Sequence, residues 1–136
     1  MAINKSERGG SALIVIDVQV NVVADAFERD AKVANMATAV AKARAASVPV
    51  IWVRHSAEDL PLNTDGWQIV PELTPIEGEP IIEKKYRSSF VETNLEEVLA
   101  QLKISHLYIC GAETNNCVRH TSMSALESGY DITLIE

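Results

Sequence analysis

The segment Ala12-Leu-Ile-Val-Ile-Asp17 constrains this chain more than any other. An apolar run without polar alternation fits a strand covered on both faces, as in a parallel sheet, and not one with a face in water. This run, read as a strand over Ser11 to Ile16, stops abruptly at an acid. Val50-Ile-Trp-Val53, released by Pro49, reads as a second buried strand, and His106 to Cys110 as another. Pro80-Ile-Ile-Glu83 and Asp131-Ile-Thr-Leu-Ile135 complete the set of predicted strands.

Helical patterns alternate with these strands. Val33, Met36, Ala37, Val40 and Arg44 follow three/four spacing in an alanine-rich stretch, predicting a helix from about Asp30 to Ala46. Thr93 and Glu96 fit a capping box ahead of Leu95, Val98, Leu99 and Leu102. Thr114 to Ser128 reads as a further helix, closed by Gly129. From Arg54 to Glu79 periodicity fails, with Pro61, Pro71, Pro75, Gly66 and Gly78 punctuating a long connection. Such connections in compact domains tend to carry function. Alternating strands and helices imply right-handed crossovers and an α/β domain with a mostly parallel sheet between helix layers. Ligands then bind beyond the carboxyl ends of the strands.

Composition supports one globular domain: 47% of residues are hydrophobic and 23% charged, in a chain of 136. We expect a flexible segment over 1–10 and the domain over 11–136. The net charge of −7 argues against a nucleic-acid partner or an acidic membrane surface, which need clustered cations. Met1 to Gly10 lacks the apolar core of a signal peptide, and no apolar run has the length of a membrane span. Two cysteines form neither a disulfide framework nor a zinc pattern, so reduced thiols and a cytoplasmic location are expected. An apolar strand at the very end of the chain would leave an uncovered edge, which suggests further chain or a partner there.

Three chemical groups fall at the predicted strand ends: Asp17, Lys84 and Cys117. Cys117 lies in the turn between an apolar strand and an amphipathic helix, within Cys110-Gly-Ala-Glu-Thr-Asn-Asn-Cys117-Val118. Unpaired N–H groups and the helix dipole at such a place favour a thiolate and an anionic intermediate. A free thiol is mostly protonated at neutral pH and needs a base, a cation or a dipole to become a nucleophile. Together the three groups suggest a cysteine hydrolase.

The set Ile16-Asp17-Val18-Gln19, Lys84 six residues before Phe90 in a Ser-Ser-Phe context, and Gly111-Ala-Glu-Thr-Asn-Asn-Cys117-Val118 resembles the isochorismatase-like cysteine hydrolase family. The resemblance spans roughly Ser11 to Glu136. It implies a three-layer, Rossmann-like fold with a six-stranded parallel sheet, of which this chain would lack the last strand and helix. It also implies an Asp17, Lys84, Cys117 triad. Asp17 would take the thiol proton, Lys84 would steady the charges, and Cys117 would form a thioester with a carbonyl carbon. A cis peptide between Ala112 and Glu113 would turn the N–H groups of Glu113 and Cys117 toward one oxyanion. Retention of the cysteine favours C–N bond cleavage in a small amide. A vinyl-ether hydrolase and a catalytically idle binding or scaffold protein are the alternatives. Relatives commonly form dimers or larger assemblies, so a homo-oligomer is expected.

Other residues read more plainly. Cys110 alternates within an apolar strand and is core. Gln19, Phe90 and His55 are candidates for the substrate pocket, with Trp67 a further aromatic one. Trp52 belongs to a strand interior. Tyr86 and Arg87 either contact a substrate carboxylate or sit in solvent. Asn115 and Asn116 serve as loop residues. His120 shares a helix face with Cys117, so a Cys–His dyad is conceivable, although a surface role is the plainer one. The family's metal-binding members carry an Asp-x-His pattern where this chain has Val53-Arg54-His55-Ser56; we therefore expect no metal and no cofactor. Because its strand lies away from the first, Lys84 is expected to reach inward from the loop that follows.

Overall fold

The computed structural model describes Ile3, residues 7–112 and residues 114–135. Five strands form one parallel sheet: β1 (Gly10–Ile16), β2 (Val50–His55), β3 (Ile81–Lys84), β4 (Ile104–Gly111) and β5 (Asp131–Leu134), in the order β3-β2-β1-β4-β5. Its helices are α1 (Val20–Val23), α2 (Arg29–Ala45), α3 (Leu95–Gln101) and α4 (Arg119–Glu127), with a 3-10 turn at Asp65–Trp67 and a π-helical turn at Thr114–Val118.

The apolar run of β1 is unbroken because it serves two cores. Ala12, Ile14 and Ile16 face one way, against Leu95, Leu99, Val118 and Ala125 of the α3 and α4 side. Leu13 and Val15 face the other, against Val33, Met36 and Val40 of α2. All five β1 residues are at most 1% exposed. With strand side chains alternating between faces, a strand covered on both can carry no polar residue until it ends. The three-layer α/β/α architecture expected from the sequence is the one observed.

Differences lie at the element ends. β2 continues through Arg54 and His55, and β3 runs from Ile81 to include Lys84. Arg54 tolerates its place by pairing with Glu83 of the neighbouring strand and covering the Trp67 ring, its guanidinium carbon 3.8 Å from the ring centroid. The Thr93–Glu96 capping box does not form. Thr93 Oγ1 accepts from the Leu95 N–H at 3.2 Å but donates to the Ser89 carbonyl at 2.6 Å. Glu96 instead accepts hydrogen bonds from Tyr130 and Arg8. Leu102, placed on the buried face of α3 by its spacing, follows the helix end and is 40% exposed. The predicted helix over Thr114 to Ser128 divides into the π-helical turn and α4, and Gly129 closes it at φ +94°. In the segment read as a flexible lead-in, the Ile3 N–H donates to Ser128 O at 2.8 Å and Arg8 donates to the Tyr130 hydroxyl at 2.7 Å.

The long connection is pinned to the domain. Trp67, Val70 and Leu73 are buried, and Gln19 and Ile69 form an antiparallel bridge. Farther on, Glu79 is held by Arg44 and by the Trp52 indole N–H at 3.0 Å.

Two backbone features shape the carboxyl edge of the sheet. Asp17 adopts a left-handed φ of +56°, uncommon for a residue with a side chain, which turns the chain sharply out of β1. Gly111 ends β4 at φ +144°, where an added Cβ would lie 2.1 Å from Ile16 O. Only glycine fits against β1 there. We predict that Gly111→Ala destabilises the fold by about 3 kcal/mol or more, from strain plus displacement of β1. Urea unfolding monitored by tryptophan fluorescence checks this; a loss within experimental error of zero would show that the two strand ends can separate freely.

Candidate active site

Asp17, Lys84 and Cys117 meet at the carboxyl edge of the sheet. Each comes from a different strand connection, after β1, at the end of β3 and after β4. Lys84 is the last residue of β3 itself, correcting the expectation that it reaches in from the following loop. β3 is separated from β1 by β2, a distance of roughly 10 Å for two strand spacings. The lysine stem crosses the end of β2, where His55 pairs in register with Lys84, and meets an aspartate that the left-handed turn presents to it.

The ammonium is surrounded. Lys84 Nζ lies 3.1 Å from Asp17 Oδ2, 3.0 Å from His55 Nδ1, 3.0 Å from the Tyr86 carbonyl and 3.3 Å from Cys117 Sγ. The Lys84 and Asp17 side chains are 0% and 3% exposed. An ammonium has three protons and accepts none, so four acceptors share them. His55 Nδ1 therefore accepts, leaving the imidazole proton on Nε2. Burial and the neighbouring Lys84 charge lower the His55 pKa, which keeps the ring neutral at pH 7.

Burial raises the Asp17 pKa above its ordinary value, opposed by attraction to Lys84 and by interaction with the Cys117 thiol. Its Oδ1 is buried and has no hydrogen-bond partner among the described residues, so one carboxylate oxygen remains available to accept a proton. The Cys117 thiol is pushed up to about 11, by burial first and then by the Asp17 carboxylate, with Lys84 pulling the other way. Burial thus opposes the thiolate that a helix N-terminus would favour. Cys117 lies within the π-helical turn, not ahead of a free helix N-terminus, and desolvation outweighs the cation. Cys110 is buried, its pKa pushed up to about 12 by desolvation alone.

The remaining candidates fall into place around this centre. Gln19 is fully buried and spent on the scaffold. Its Nε2 donates to His55 O at 2.9 Å and Trp67 O at 2.8 Å, while its Oε1 accepts the His55 N–H at 2.9 Å. His120 donates from Nδ1 to Asn116 O at 2.8 Å, a bond to its own helical turn and not to Cys117. Phe90 packs against the core with its ring 6.0 Å from that of Tyr130. Trp67 is buried beneath Arg54, and Trp52 within β2. Ala112 donates its N–H to Ile16 O at 2.9 Å; Glu113, and with it the expected cis peptide, lies outside the described residues. Among the described residues no group of three or more His, Cys, Asp or Glu side chains is placed to hold a metal ion. None of the described helices is long and apolar enough to cross a membrane.

The sequence reading did not anticipate the polar seam behind Lys84. The Ser89 N–H donates to Thr121 Oγ1 at 2.9 Å, that hydroxyl donates to Ser89 Oγ at 2.9 Å, and the Ser88 and Ser124 hydroxyls pair at 2.8 Å. It fastens the segment after Lys84 to α4, the helix that continues from Cys117. Two adjacent serines gave only a motif context; no spacing rule identifies Thr121 or Ser124 as their partners. Beside the centre opens a cleft of about 1050 Å³, lined by His55, Tyr86, Arg87, Arg119 and His120 among others.

Residues 11–136 match the isochorismatase domain family. A secreted isochorismatase effector of Verticillium dahliae is 31% identical over 133 residues, which cover 93% of this chain and 70% of that protein. The crystal structure of an isochorismatase from Pseudomonas putida superposes with a TM-score of 0.85 at 31% identity, covering 99% of this chain and 71% of that one. An N-carbamoylsarcosine amidase from Thermoplasma acidophilum gives 0.83 at 28% identity, covering 93% and 81%. With a sheet that carries its acid, lysine and cysteine at one edge, and with this match across nearly its whole length, the chain belongs to the isochorismatase-like hydrolase family.

Proposed function

We propose that the protein hydrolyses the C–N bond of a small amide through a Cys117 thioester. The observation that carries this reading is the Lys84 ammonium, buried within hydrogen-bond reach of both Asp17 and the Cys117 sulfur. The family includes a cysteine-independent vinyl-ether chemistry, but a thiol held in this position has no use there. The likeness to an amidase supports the choice of bond.

In this mechanism the resting thiol is neutral. With its pKa pushed up by burial and by the Asp17 carboxylate, the thiol gives up its proton as it attacks. Asp17 takes the proton from Cys117 on its unpartnered oxygen, and the sulfur bonds to the amide carbon. Lys84 turns its shared proton from the neutralised carboxyl toward the charge that forms. Collapse of the tetrahedral intermediate breaks the C–N bond, and Asp17 returns the proton to the leaving amine. Water then attacks the thioester with Asp17 again as base, releasing the acid and restoring the thiol. The backbone N–H groups of Glu113 and Cys117 serve as oxyanion donors in this scheme, each worth roughly 3 kcal/mol of barrier. The substrate is a small molecule, no cofactor takes part, and a homo-oligomer is the proposed assembly.

Intact mass spectrometry after incubation with a panel of small amides, alongside ammonia release, tests the reading. The wild-type protein is expected to show an acyl adduct or ammonia, and Cys117→Ala neither; equal behaviour of the two would overturn the thioester and favour an idle binding protein. Asp17→Asn is expected to lower kcat by roughly 10²- to 10⁴-fold. The same substitution removes the charge that raises the thiol pKa, so Cys117 should react faster with iodoacetamide at pH 8 although turnover is lost. An unchanged rate would show that the carboxylate does not bear on the thiol, and a slower one that its service as base outweighs its repulsion of the thiolate. Finally, Asp17 must be ionised to act as base and its pKa is raised. The acid limb of kcat/KM should therefore lie above the ordinary carboxylate range, with activity falling as pH drops through it.

A further inference from the structure

Arginine pairing in this chain is uneven. Acids outnumber bases, 19 to 12. Arg8 pairs with Glu96, Arg29 with Glu72, Arg44 with Glu79 and Arg54 with Glu83. The two arginines left without a carboxylate among the described residues are Arg87 and Arg119, and both line the cleft whose wall includes His55 and Tyr86, the two residues that also meet the Lys84 ammonium. They come from separate elements, the segment after β3 and the first turn of α4. Lys85 adds a third cation to the lining, and Glu127 is its single carboxylate. The cleft wall thus carries an excess of positive charge in a chain whose net charge is −7.

We infer that Arg87 and Arg119 are specificity residues that bind an anionic group on the substrate, which makes the substrate a small amide bearing a carboxylate or similar oxyanion. The inference rests on Cys117 being the reacting thiol, as proposed above. In an acidic protein, guanidinium groups find carboxylates readily, and here they do so everywhere except at this cleft. A guanidinium presents a rigid fork that matches a carboxylate with two parallel hydrogen bonds, and a cleft of one sign draws an opposite charge toward it. The polar seam of Ser88, Ser89, Thr121 and Ser124 fixes the Arg87 segment to the helix that carries Arg119 and continues from Cys117. Tyr86 and Met123, about half exposed on the same wall, offer an apolar surface for the body of the ligand.

Two alkylating probes of similar size and opposite character test the charge preference without knowledge of the substrate. Both iodoacetate and iodoacetamide are attacked by the Cys117 sulfur with loss of iodide, and the adduct is counted by peptide mass spectrometry. The ratio of the iodoacetate to the iodoacetamide rate is expected to fall about threefold or more in Arg87→Ala/Arg119→Ala, to rise in Glu127→Gln, and to fall with added salt in the wild type. The neutral probe's rate reports in each variant whether the site itself is intact. A ratio unchanged by both the double substitution and salt overturns the clamp. Turnover of succinamate against succinamide then separates the two readings. Equal ammonia release from both, with an insensitive ratio, leaves the amidase standing without the clamp. No ammonia from either, nor from the panel of amides above, with a sensitive ratio, keeps the anion site and removes the amidase.

Discussion

The buried ammonium of Lys84 is the interaction on which the rest of this structure depends. A charge removed from water costs several kcal/mol unless it is paired and hydrogen-bonded. Here it is met by a carboxylate, an imidazole nitrogen, a carbonyl and a sulfur, contributed by segments that follow or end β1, β2, β3 and β4. The sheet's order matters for this reason: with β2 between β1 and β3, the lysine must pass over His55 to reach Asp17, and so gathers all of them on its way.

The neighbouring backbone is shaped to the same end. The left-handed turn at Asp17 and the side-chain-free approach at Gly111 bring the ends of β1 and β4 together. Strain of this kind persists only where the surroundings over-determine it. The two cores packed on opposite faces of β1 supply that determination, and the site inherits rigidity from a strand that has no face left to yield. The electrostatics follow from the same burial, which raises both the Asp17 and the Cys117 pKa.

Much of this was legible in the residues. The uninterrupted Ala12–Ile16 run announced a doubly covered strand, and the placement of Asp17, Lys84 and Cys117 at strand ends followed from the alternation of strands and helices. What escaped was set by distance in three dimensions. Glu96 sits where a capping box wants it, but Tyr130 and Arg8 are better partners once β5 and the chain start are packed nearby. Cys117 reads as a residue at a helix terminus in one dimension; in three, it is half-buried within a π-helical turn, and desolvation pushes its pKa up. His120 has the spacing of a dyad partner, yet its own turn offers a nearer acceptor in Asn116 O. Gln19 read as a pocket residue because it adjoins Asp17, and only the fold shows its amide spent on His55 and Trp67.

That glutamine has a consequence for how such a chain can change over time. By clasping the backbone at His55 and at Trp67, Gln19 closes the start of the long connection into a loop whose two feet are anchored independently of what lies between them. Loop-closure entropy grows only slowly with length, so residues between those feet can be inserted, lost or exchanged at small thermodynamic expense. Through His55, the lysine would keep its position while they do. The loop is therefore free to vary as a module while His55, and the ammonium that His55 contacts, stay where they are.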